Sequence, residues 1–164
     1  MKHLSLICLL LAQMISINLV FAQDPGGSFK KNSFYSAMSA GNEDAINKQL
    51  TLLKTADITE KKAYEGALLM KKAGIVGGPK MKLDLFKEGR KELEAVLNKD
   101  STNTEFRFLR LMIQEHAPGI LGYKNELEKD KLYIMNNFKK LSAVVQEAIV
   151  NYSKESKILK PADL

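Results

Sequence analysis

The chain has 164 residues, a formal net charge of +6 and a single cysteine, Cys8. That length can bury one core without metal or crosslink, and one thiol rules out an internal disulfide. Tryptophan is absent, glycine and proline are sparse, and no basic patch is interleaved with aromatics, which argues against nucleic acid as a partner and for a helical assembly.

Residues 1–22, MKHLSLICLLLAQMISINLVFA, begin with Lys2 and His3, pass through an apolar stretch from Leu4 to Leu11, and close on Val20-Phe21-Ala22. The layout predicts a secretory signal peptide cleaved before Gln23, hence an exported protein, periplasmic or secreted. Cys8 does not suit lipid attachment, because Ile7 precedes it where a small residue is needed. Gln13, Ser16 and Asn18 dilute the segment, and a membrane span needs about 20 mostly apolar residues. The mature chain is therefore not expected to be an integral membrane protein.

Residues 23–28, QDPGGS, read as a flexible leader. An all-helical domain of about seven helices is expected over 29–157. Phe29, Phe34, Tyr35 and Met38 belong to a short first helix that Gly41 stops. Asn42 caps a second, with Glu43 and Asp44 in its first turn and an apolar face of Ile46, Leu50 and Leu53. A third starts near Asp57, where Asp57 and Glu60 have capping-box spacing, and ends at Gly74. Pro79 opens a fourth, which runs to about Lys99. The fifth, Thr104 to about His116, is apolar nearly all round and belongs in the middle of a domain. Ala117-Pro118-Gly119 ends it. A sixth follows over roughly Lys124 to Asn137 and a seventh over roughly Ser142 to Lys154, with 158–164 a frayed tail containing Pro161. No period-2 alternation suggests a sheet.

In GRKELEAVLNKDSTN, residues 89–103, small Gly89 is followed by apolar Leu93, Val96 and Leu97, then Asp100 and a polar turn. This resembles the second helix and closing turn of a tetratricopeptide (TPR) repeat. YEGALLMKKAG, residues 64–74, similarly resembles a first TPR helix, with Gly66 and Ala67 at the crossing. Ser101 stands where the family usually has proline, and extra residues around Val76 to Lys82 break the repeat length of about 34. The resemblance implies TPR-like helical hairpins stacked pairwise in one compact domain. FRFLRLMIQEHAPGILGY, residues 106–123, is similar to a segment of small exported bacterial proteins of unknown role, which implies a shared fold and compartment but no activity.

Arg107, Arg110 and Gln114 form a polar stripe at i, i+3 and i+7 on an otherwise apolar helix, with Tyr123 nearby. They are the candidate partner-binding residues, since guanidinium groups bind carboxylates bidentately. The structural reading, in which they reach solvent or pair with acids such as Asp100, Glu126 or Asp130, is the more ordinary one, because buried arginines are normally satisfied internally. Glu115 and His116 lack the further ligands that zinc requires, so no metal site, cofactor or catalytic residue is expected. Gly74, Gly77 and Gly78 lack the phosphate-loop lysine and hydroxyl. Glu126 and Asp130 share a helix face that intervening lysines mark as solvated. The tyrosines are expected at the edge of the core with wet hydroxyls.

The function these features predict is a non-enzymatic scaffold or adaptor that binds a protein or peptide in a groove between hairpins. An envelope-associated binder of anionic lipid or glycan is the alternative, and a hydrolase working through paired carboxylates a more distant one.

Overall fold

The computed structural model describes residues 27–164, so the predicted signal peptide and most of the leader lie outside the described residues. Those described form seven α-helices and no strand: α1 (Lys31–Ala40), α2 (Glu43–Thr55), α3 (Lys61–Ala73), α4 (Pro79–Lys99), α5 (Thr104–His116), α6 (Leu127–Asn137) and α7 (Ala143–Ser153). Among them, no helix is long and apolar enough to cross a membrane.

Local chemistry sets most of the boundaries. The Asn42 and Asn103 side chains accept the N–H groups of Ala45 (2.8 Å) and Phe106 (3.1 Å), satisfying donors that the first turns of α2 and α5 leave open. Pro79 occupies the opening turn of α4. Gly41, at a φ of 60°, ends α1 by donating its N–H to the Ala37 carbonyl.

Antiparallel pairing of α3 with α4 is the closest contact in the bundle. Lys62 faces Glu92 at 3.4 Å, and one turn on, Gly66 lies directly against Gly89. A Cβ on Gly89 would sit 2.5 Å from the Gly66 carbonyl oxygen, so the two backbones touch only because neither residue has a side chain. The second antiparallel pair is α5 with α6, and α5 also packs on α3 and α4. Phe108 of α5 meets Tyr35 of α1 and Tyr152 of α7, with ring centroids 6.0 and 5.6 Å apart. The core closes around this helix, which is buried from Thr104 to Gln114.

Three expectations need correction. The capping box at Asp57 and Glu60 does not form. The Glu60 carboxylate takes the Thr59 hydroxyl (3.0 Å) and faces Lys31 (3.7 Å), and α3 begins at Lys61. The sixth helix starts at Leu127 rather than near Lys124, because the chain first spends residues 122–126 turning Tyr123 into the core. The segment 158–164 is not frayed. Leu159 is fully buried, Ser156 Oγ accepts the N–H groups of Ile158 (3.1 Å) and Leu159 (2.9 Å), and Asp163 pairs with Lys131 of α6 at 3.0 Å. The apolar pair Ile158-Leu159 outweighs the helix-breaking effect of Pro161.

Candidate functional site

Placing α5 at the centre of the bundle decides what its polar stripe can do. Arg107 and Arg110 point toward α6, where Asp130 is completely buried. The Asp130 carboxylate accepts Arg107 Nη1 (2.7 Å), Arg110 Nε (2.7 Å) and Arg110 Nη2 (2.8 Å). Arg107 also donates to the Ser101 carbonyl through Nε (2.8 Å) and Nη2 (2.5 Å), and lies 4.3 Å over the Tyr133 ring. Arg110 reaches across to α4, where Nη1 donates to Glu94 Oε2 at 3.0 Å. Burial alone lowers the affinity of Arg110 for its proton, but Asp130 and Glu94 more than reverse this and hold it firmly charged. The stripe is therefore the interior seam of α4, α5 and α6. Asp130 is correspondingly inside the protein, not on the solvated face that its neighbouring lysines suggested.

One turn further along α5, Gln114 is 2% exposed, and its Oε1 has no hydrogen-bond partner. Gln114, with that oxygen turned away from solvent, also belongs to the wall of a surface cleft of about 200 Å³ between α4 and the connector that joins α5 to α6. Arg90 and Glu94 line it from α4, and Tyr123, Asn125 and Glu126 from the connector. The connector is shaped by a short 3₁₀ turn, Gly119–Leu121, and by Gly122 at a φ of 55°, a conformation that side chains disfavour. The turn sends Tyr123 inward. Its hydroxyl donates to Glu94 Oε1 at 2.5 Å, and its ring meets the edge of Phe86 at a centroid distance of 5.6 Å. The Arg90 guanidinium covers the ring at 4.7 Å. Burial, followed by the Glu94 carboxylate, raises the Tyr123 phenol well above its ordinary range. Ile120, in the same 3₁₀ turn, is 95% exposed, the most exposed of the large apolar residues described.

Of the four candidate binding residues, the structure thus brings Gln114 and Tyr123 to the cleft, sets Arg110 behind Glu94, and withdraws Arg107 into the seam. Sequence reasoning missed Arg90 and Ile120. Arg90 and Glu94 at i, i+4 on one face of the fourth helix were the available signal, and Ile120 follows a helix end where an apolar residue has nothing local to pack on.

Two further carboxylates tie distant segments to α5. Glu115 accepts the Tyr152 hydroxyl, the Ser156 hydroxyl (2.6 Å) and the Lys157 N–H (2.5 Å), pinning the tail to α5. Glu105 accepts Tyr35 (2.9 Å), Tyr64 (2.6 Å) and Lys31 (2.9 Å), tying α1 and α3 to α5. Four of the tyrosines therefore end on carboxylates rather than in water. Among the described residues, no group of three or more His, Cys, Asp or Glu side chains is arranged to hold a metal ion. A larger cleft, about 330 Å³, lies between residues 27–29 and the link from α2 to α3, where Asp57 is its one ionisable side chain.

Compared with protein-family models, known proteins and solved structures, the chain has no significant match.

Proposed function

We propose that this protein is an exported, non-enzymatic binding module built from TPR-like hairpins, holding a protein or peptide segment in the cleft between them. The observation that carries the reading is the cleft itself. It lies between α4 and the connector that joins α5 to α6, it is walled by Arg90, Glu94, Asn125 and Glu126, and the same connector carries the solvent-exposed Ile120. Those charged and amide side chains can pair with the polar groups of a peptide backbone, while Ile120 gains by burial under an apolar side chain. The hairpin reading rests on the glycine contact between α3 and α4, which matches the small-residue crossing in the sequence. The non-enzymatic reading draws on Glu105, Glu115 and Asp130, each of which is engaged by donors that join one helix to another. Export rests on the layout of residues 1–22.

Selection of a displayed random-peptide library on the purified protein tests the proposal. Enriched peptides are expected to bind the wild type and to lose at least tenfold in affinity for Ile120→Glu, a surface change that leaves the fold intact. Failure to enrich any peptide, or peptides indifferent to Ile120→Glu, refutes it. Amino-terminal sequencing of the protein recovered from the cell envelope checks the compartment, with Gln23 expected first.

A further inference from the structure

We infer that the free end of the α3–α4 hairpin is a docking surface for an anionic phospholipid bilayer. The loop from Gly74 to Gly78 joins the two helices there. Ile75 stands exposed on one side of the loop, and Met81 (56% exposed) and Leu83 (40%) on the other. Three of the seven exposed large apolar residues of the described chain therefore lie in the loop or the first two turns of α4, with Met81 and Leu83 on different sides of that helix. Packing does not require them there, because Val76 and Phe86 already supply the buried contacts at this end.

Charge identifies the occupant. Lys80, Lys82 and Lys87 are exposed among these apolar side chains, with Arg90 and Lys91 a further turn along the helix. Only Asp84, already paired with Lys80 at 2.7 Å, and Glu88 oppose them. Short apolar side chains ringed by lysines suit the headgroup layer, where the apolar groups enter the acyl boundary and the ammonium groups meet phosphates. A folded protein partner would have to supply both an apolar hollow and a ring of acids; an anionic bilayer supplies both without a specific fit. A Cβ at Gly77 or Gly78 would meet nothing within 4 Å, so the backbone of the loop is open to an approaching surface there. Arg90 is shared with the peptide cleft, but Ile75, Met81, Leu83, Lys80, Lys82 and Lys87 are not, so either can fail alone.

The chain has no tryptophan, so a single introduced one reports its own surroundings. Met81→Trp and Leu132→Trp place it at two positions of equal exposure, 56%, on the hairpin end and on α6. Vesicles of phosphatidylglycerol and phosphatidylethanolamine are expected to shift the emission of Met81→Trp to the blue and to leave Leu132→Trp unchanged. Pure phosphatidylcholine vesicles are expected to shift neither. In flotation, Lys82→Gln with Lys87→Gln is expected to weaken binding about 30-fold, since each lysine near an anionic surface contributes roughly fivefold. Raising the salt is expected to have the same effect. No flotation with anionic vesicles, equal blue shifts at both positions, or binding unchanged in the double lysine variant overturns the inference. Sedimentation velocity showing that the exposed apolar end instead joins two copies of the chain overturns it too. Ile120→Glu is expected to float like the wild type, which separates this result from the outcome for the cleft.

Discussion

Replacing Gly89 with alanine puts a methyl group where the structure has none to spare. The added Cβ would lie 2.5 Å from the Gly66 carbonyl oxygen, 2.8 Å from Met70 Cγ and 2.9 Å from the Met70 backbone nitrogen. Met70 Cγ can swing away, but the two backbone atoms cannot. Ordinary contact begins near 3.4 Å, so α3 and α4 must part by roughly 0.9 Å along this line. A gap of that size forfeits a quarter to a half of the dispersion attraction along the seam. Overpacking of this kind costs about 1–3 kcal/mol and sometimes more. Alanine recovers about 1 kcal/mol because it is a better helix former. Since the obstruction is backbone, the upper part of the range applies, and a net loss of about 2 kcal/mol is expected. For a domain of this size that lowers Tm by roughly 5–8 °C. Thermal and urea unfolding, followed by circular dichroism, measures it. Gly77→Ala is the control, because a Cβ there meets nothing within 4 Å; it should be neutral or slightly stabilising. A Gly89→Ala protein as stable as the wild type would falsify the close-crossing argument.

Two further outcomes follow from the buried polar groups. Asp130→Ala leaves two buried guanidinium groups without their shared carboxylate and is expected to cost about 3–5 kcal/mol in urea unfolding; a loss under about 1 kcal/mol would mean that the pair behaves like an exposed one. At Glu115, burial raises the carboxyl pKa, but donors from Ser156, Tyr152 and Lys157 and the charge of His116 outweigh it, leaving the group below its ordinary 4.5. A folded value below the unfolded one stabilises the protein above pH 4.5, and that contribution drains away as the pH falls through the folded value. Wild type should therefore exceed Glu115→Gln in urea midpoint at neutral pH, with the difference narrowing below that point. A difference that stays constant across the titration refutes the assignment.

Much of the architecture could be read from the chain because its signals are local. Asn103 and Ala117-Pro118 bracket α5 closely enough to fix both ends, and the apolar coverage of Phe106, Phe108, Leu109 and Leu111 placed it inside. Gly66 and Gly89 gave away the close crossing. What stayed hidden was any pairing across distance. Three polar residues on α5 look alike whether they face solvent or Asp130, which arrives 20 residues after Arg110. The unmade capping box has a local cause as well, since the Thr59 hydroxyl takes the Glu60 carboxylate at 3.0 Å while Lys31 faces it at 3.7 Å. Pro161 spoke for disorder, while the burial of Leu159 depends on a surface that the segment cannot see until the helices have assembled. Only half of the cleft was visible, because its Arg90 wall comes from a helix whose facing is set by the crossing at Gly89.

The clasp at Glu115 bears on when this protein becomes stable during its manufacture. Its donors at 152, 156 and 157 and the plug at Leu159 all emerge after everything they cover. Until that stretch has left the ribosome, the end of α5 faces water and the assembly stays incomplete. For the export proposed above, such a delay would keep the chain threadable until its synthesis is complete.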